Sequence, residues 1–122
     1  MIDDSVYNNH RTEARYLKAI SDLHLDGYKL LRSKEYFFIW QRYEGKKPKS
    51  EYIRLCLMRD NSSDPTFYWS LDLSFKPFRH LHNGKAENNQ RGPKFKAHEE
   101  NVAFEYFSNF LNIINNYVGA TK

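Results

Sequence analysis

Three aromatic-rich segments between Glu35 and Phe75 constrain the fold most: EYFFIWQRYE, EYIRLCLMRD and TFYWSLDLSF, separated by two polar loops. Each carries the β-branched, aromatic and long apolar residues that suit a pleated surface, and each ends in turn chemistry, so the three read as strands of one sheet. In the third, Phe67, Trp69, Leu71, Leu73 and Phe75 alternate with Tyr68, Ser70, Asp72 and Ser74. A period of two puts those sets on opposite faces, one core and one polar. In the second, Ile53, Leu55 and Leu57 form the more apolar set, against Tyr52, Arg54, Cys56 and Met58. In the first, Tyr36, Phe38, Trp40 and Arg42 oppose Phe37, Ile39, Gln41 and Tyr43, and either set can face the core.

Two amphipathic stretches flank the strands. From about Arg11 to Asp26, Ala14, Leu17, Ile20, Leu23 and Leu25 include the i, i+3, i+6 spacing of a helical stripe, with Tyr16 and His24 beside it. Thr12 fits an N-cap and Gly27 a C-terminal stop. From His98 to Val118 the set Ala103, Phe107, Phe110, Leu111, Ile114 and Val118 marks a closing helix, with Glu99 and Glu100 against its N-terminal dipole. Tyr28 to Arg32 reads as a short strand leading through Ser33 and Lys34 into the first long one, by a tight turn or by a bulge. EGKKPKSE forms a basic hairpin tip and DNSSDP the next turn, while GPKFKA is a candidate fourth, edge strand. The expected architecture is therefore α+β: an N-terminal helix, a three- to four-stranded antiparallel meander, and a C-terminal helix packed on the sheet.

A chain of 122 residues with 40% hydrophobic and 16% aromatic content fits a single domain over 1–122 whose core is built from rings. Residues 1–9 read as a loose N-terminal arm, and 76–96 as a long basic loop with two prolines, two glycines and three asparagines. The N-terminus has neither the basic flank nor the apolar run of a signal peptide, and no apolar stretch reaches bilayer length, so a cytoplasmic protein without membrane contact is expected. The single cysteine, Cys56, has no partner for an internal disulfide, and its place between Leu55 and Leu57 favours a buried structural thiol over a nucleophile.

The net charge of +4 is unevenly spread. Residues 1–33 carry five acidic and five basic side chains, 34–60 carry seven Lys or Arg against four acids, and 76–98 carry six against one. Such a local surplus points to a polyanionic partner, either nucleic acid or an acidic protein surface. Tyr36, Phe38 and Trp40 are candidate rings on which unpaired bases can stack, with Arg42 and Arg54 on the same segments as phosphate contacts. The competing reading is that a helix covers these rings as ordinary core. Arg79, Arg91, Lys94 and Lys96 extend the basic surface toward the last helix, whose free backbone N–H groups favour phosphate.

The α-β-β-β-α order with lysines ahead of the final helix resembles double-stranded-RNA-binding domains in outline. The sheet followed by one long helix resembles single-stranded nucleic-acid binders of the PUR and Whirly type. Both resemblances cover topology. The clustered lysine-alanine motif of the first family is absent, with His98, Glu99 and Glu100 at the corresponding helix start.

His80, His82 and His98 offer a further constellation. The first two face the same way on an extended chain, which suits either metal chelation with a third ligand or acid–base work in metal-independent RNA cleavage. No recognised metal spacing, nucleophile elbow, P-loop or dinucleotide fingerprint is present, and no catalytic residue, metal or cofactor is expected. The sequence reading is thus a small non-enzymatic protein that binds RNA or single-stranded DNA through a basic, aromatic surface. The alternative is an inhibitor or immunity-type protein that blocks an acidic site on a partner, since Tyr, Trp and Arg also make interface hot spots. A histidine-dependent ribonuclease is a minor third.

Overall fold

The computed structural model describes residues 10–34, 36–60, 65–73 and 90–120. In chain order the elements are helix α1 (His10–Ser21), strands β1 (Tyr28–Lys34), β2 (Phe37–Glu44), β3 (Lys47–Asp60), β4 (Thr66–Leu73) and β5 (Gln90–Arg91), and helix α2 (Glu100–Ala120). The strands form one antiparallel sheet in the order β1-β2-β3-β4-β5, a simple meander. The α+β architecture agrees with the sequence reading, but the sheet has five strands rather than three or four. The proposed arm at 1–9, and residues 76–89 of the basic loop, lie outside the described residues.

The extra strands come from the two segments whose patterns are weakest. In β1 the register with β2 shifts between Leu30 and Arg32, so Leu31 is the extra residue of a bulge, and Lys34 then pairs with Phe37 across a two-residue reversal. Bulge and tight turn are both present. At the other edge β5 pairs with Ser70 and Leu71 of β4, while Phe95 makes an isolated bridge to Phe67. The strand expected over residues 92–97 is thus split and begins earlier. Pro93 has no N–H to give to a ladder, so pairing lapses around it. Gly92 holds the break against the fold: its N–H donates to the Trp69 carbonyl at 2.7 Å. A Cβ there would come within 3.1 Å of the Phe110 ring.

Both helices pack on the same face of the sheet. Tyr16 and Ile20 of α1, and Ala103, Phe107, Phe110, Ile114 and Val118 of α2, join Phe38, Trp40, Ile53, Leu55, Leu57, Phe67, Trp69, Leu71 and Leu73 in one core cluster. The inward stripe of α1 runs through buried Tyr16 and Ile20 and half-buried Ala19, while Ala14 and Leu17 are exposed. The stripe inferred from Ala14 and Leu17 is therefore rotated, because the Tyr16 ring occupies the centre of the interface. It makes edge contacts with Tyr36, Trp69 and Phe107 at centroid distances of 5.4, 5.4 and 4.8 Å.

α1 also stops at Ser21, short of Asp26. The Ser21 hydroxyl donates to the Lys18 carbonyl at 2.8 Å, and Leu23 N–H reaches only as far back as Ile20, a tightened last turn. Gly27, at φ +81°, then reverses the chain into β1. α2 starts where Glu99 closes a cap: its carboxylate accepts from the Lys96 N–H at 2.7 Å and its carbonyl accepts from Ala103 N–H at 3.0 Å.

Phe107 has no exposed surface and contacts Tyr16, Phe38, Trp69 and Phe104. Phe107→Ala should cost about 3–5 kcal/mol, the range for truncating a buried aromatic. Urea denaturation followed by circular dichroism measures it; a loss below about 1 kcal/mol would mean that α2 does not depend on this ring.

Candidate functional site

The sheet has a second face, and pairing geometry assigns its residues. Arg54 opposes Asp72, Cys56 opposes Ser70, and Met58 opposes Tyr68 across β3 and β4. Ile39 and Phe37 belong to the same face on β2, opposite Arg54 and Cys56. On β1, Lys29 opposes Gln41, and beyond the bulge Arg32 opposes Ile39. Arg91 of β5 opposes Ser70. Among the described residues no helix packs on this face: its small buried cluster of Ile39 and Tyr52, with Phe37 against it, is separate from the main core.

At the centre of this face Asp72 is 0% exposed and ion-paired with the Arg54 guanidinium, whose side chain is 19% exposed. A carboxylate held out of water needs such a counterion, so Arg54 is committed to the fold first. Beside the pair, burial pushes the Cys56 thiol up to about 11, against the lowering influence of Arg54 and with a smaller upward push from Asp72. A thiol so protonated is no nucleophile at neutral pH.

Around this centre, cations lie over aromatic rings. Lys29 Nζ is 4.4 Å from the Tyr43 ring centroid, Arg32 Cζ is 5.4 Å from Phe37, and Arg91 Cζ is 5.8 Å from Tyr68. Near the end of the sheet where β3 meets β4, a cavity of about 230 Å³ is lined by Arg59, Asp60, Tyr68, Arg91, Gly92 and Lys94. Lys94 and Asp60 form an ion pair across it.

This arrangement redraws the residue set expected from sequence. Tyr36, Phe38 and Trp40 are 3%, 0% and 3% exposed, in the core beneath the helices. A base needs an open ring face to stack on, so the expectation that these three serve as stacking platforms is corrected. Arg42 is tied to Glu51 at 2.7 Å and Glu44 at 3.8 Å, and Lys49 pairs with Glu44 at 3.3 Å, so the hairpin neutralises much of its own charge. Arg42 and Arg54 are thus held by carboxylates rather than displayed together. Lys96 is half-buried in the turn that caps α2.

Arg91 and Lys94 are the two candidates that the fold brings into one site. Arg79, His80 and His82 lie outside the described residues, and His98 is exposed just ahead of α2. Among the described residues no three His, Cys, Asp or Glu side chains come close enough to hold a metal. No helix among them is long and apolar enough to cross a membrane.

Sequence reasoning missed Lys29, Arg32, Phe37, Tyr43, Arg59 and Tyr68. Strand alternation already placed Tyr68 opposite Trp69, and that was the available signal. For Lys29 and Arg32 no signal existed, because the bulge at Leu31 reverses which residues of β1 share a face.

Two measurements test the electrostatics. Arg54→Leu should cost about 3–5 kcal/mol in urea, since it strands a buried carboxylate, whereas an exposed pair would lose under about 1 kcal/mol. For Cys56, the folded thiol holds its proton above its ordinary value of 9.0, so the unfolded chain ionises first as pH rises. The contribution is intact below pH 9 and is lost between about 9 and about 11. Over that window the wild type should lose roughly 2 kcal/mol more stability than Cys56→Ala; equal losses would mean the thiol is not buried. The chain matches no protein family, no curated protein and no solved structure.

Proposed function

We propose that the protein binds RNA or single-stranded DNA along the sheet face opposite the two helices. The observation that carries this reading is the set of three cation-covered rings on the sheet: Lys29 over Tyr43 and Arg32 over Phe37 at the two ends of β2, and Arg91 over Tyr68 on β4. Each pair contains the two components a single strand needs, a charge for the phosphate and a π-face for the base.

The exchange is favourable on magnitude. An exposed cation–π contact is worth roughly 0.5–1 kcal/mol. A base stacked on a ring is worth roughly 1–3 kcal/mol, and the displaced cation gains a phosphate. Tyr43 and Phe37 are six residues apart along β2, about 20 Å, and Tyr68 is two inter-strand spacings from β2, about 10 Å, room for a few nucleotides. A duplex keeps its bases stacked inside and cannot use the rings, so it is the poorer ligand.

The reading makes definite demands on binding. If Lys29, Arg32, Arg91 and Lys94 each neutralise one phosphate, the affinity for a single strand should fall about 50-fold between about 50 and 200 mM salt. Fluorescence anisotropy with labelled single-stranded RNA, single-stranded DNA and duplex DNA measures this. Tyr68→Ala should weaken single-strand binding about fivefold or more with little loss of stability, because Tyr68 is only half-buried. Absence of binding to every oligonucleotide at about 50 mM salt would overturn the proposal and leave the acidic-partner inhibitor as the reading to pursue.

A further inference from the structure

The cavity bounded by β3, β4 and β5 differs from the rest of the face, because its charge is gathered into a concavity rather than spread over rings. Three cationic side chains, Arg59, Arg91 and Lys94, line it with a single carboxylate, Asp60. Among the described residues the cavity therefore holds a surplus of two positive charges. Asp60 anchors Lys94, which leaves the two guanidiniums as the adaptable donors.

Arg59 supplies a second, independent observation. Its Nε is shielded from solvent and has no hydrogen-bond partner among the described residues. A shielded donor without an acceptor costs about 1–3 kcal/mol, more for a charged group, so a shift of the Arg59 side chain that gave its guanidinium an acceptor in the cavity would recover that cost. The backbone offers little in competition: Gly92 N–H is already given to the Trp69 carbonyl, and Pro93 has none.

Size narrows the ligand. At about 230 Å³ the cavity is smaller than the roughly 300–1,000 Å³ of pockets that enclose whole drug-sized ligands. It has room for a phosphate group. Charge narrows it again. A phosphate monoester carries about 1.5 to 2 negative charges near neutral pH, against one for a diester within a strand, and so matches the surplus of two.

We infer that this cavity receives the terminal phosphate monoester of a nucleic-acid strand, so that the protein distinguishes phosphorylated ends from hydroxyl ends. The inference rests on the sheet-face reading above, since the strand lying across the rings is what delivers its end to the cavity. The Arg59 and Arg91 guanidiniums donate to the phosphate oxygens, Lys94 adds charge, and Tyr68 lies beside the terminal nucleotide.

The test compares one single-stranded sequence carrying a 5′-phosphate, a 3′-phosphate or hydroxyls at both ends, by anisotropy at fixed ionic strength. One phosphorylated form should bind about tenfold tighter than the hydroxyl-ended form. Arg59→Gln should abolish that ratio, read as phosphorylated against hydroxyl-ended binding of the same variant. Arg91→Gln, at an exposed position that does not threaten folding, should also reduce the ratio, whatever it does to overall affinity. Equal binding of all three oligonucleotides would overturn the inference and leave the sheet-face reading standing. A preference that survives both substitutions would overturn it too, as general attraction of a more charged ligand. Competition by adenosine 5′-monophosphate at concentrations well below the ionic strength would overturn the strand-end assignment in favour of a free nucleotide. If even the hydroxyl-ended strand fails to bind, the sheet-face reading itself falls.

Discussion

The edge-on packing of Tyr16 against Trp69 and Phe107 is the contact on which the arrangement of the molecule depends. It joins the first helix, the fourth strand and the last helix at one point, and all three rings are fully buried. The Trp69 indole N–H also donates to the Ala103 carbonyl at 3.1 Å, which fixes the first turn of α2 over β4. Aromatic pairs in this geometry add about 0.5–1.5 kcal/mol each beyond area burial, so several around one ring fix helix placement as well as adding stability. Because both helices are drawn to the same face, the other face is left to polar and charged chemistry.

Among the described residues, helices cover one side of the sheet only. Antiparallel sheets commonly bury one face and solvate the other. Here the far face keeps a small centre of its own, Ile39 with Tyr52, beside the Arg54–Asp72 pair. The charged residues are divided by this geometry into two groups. Arg42, Lys49 and Arg54 are bound to carboxylates within the fold, whereas Lys29, Arg32 and Arg91 lie on ring faces. A cation over a ring is held by a contact of at most about 1 kcal/mol at an exposed site, and it can leave for a better partner. Charges of the first kind are held by opposite charge, and those of the second by weaker contacts with rings.

The division was only partly legible in the sequence. Strand alternation identified which residues of β4 share a face, and the 4-3-4 spacing of Ala103, Phe107, Phe110 and Ile114 identified the buried side of α2. Alternation is silent on which face a helix will cover when both sets carry rings, as in Tyr36, Phe38 and Trp40 against Phe37, Ile39 and Tyr43. That choice is made by Tyr16, a residue more than fifty positions from Trp69 in the chain. Local pattern gave Tyr16 a place beside the α1 stripe rather than at its centre, since a tyrosine scores as half polar while its ring buries as completely as Phe107. The edge strands escaped for a different reason. β1 contains a bulge and β5 pairs through only two residues before Pro93, so neither shows the unbroken period of two on which recognition depends.

The rings therefore serve two ends that composition cannot separate. On the helix side, Phe38 is packed by Phe107 and Trp40, and Trp69 by Tyr16 and Phe107, while Phe104 at the rim also lies under Arg15. On the far side, Phe37, Tyr43 and Tyr68 are packed by Arg32, Lys29 and Arg91. A ring locked against rings can be exposed only by unfolding, at a cost of several kcal/mol. A ring beneath a mobile cation is exposed by moving one side chain, at a cost near 1 kcal/mol. The partner of each ring, rather than its identity, decides whether it can take part in recognition.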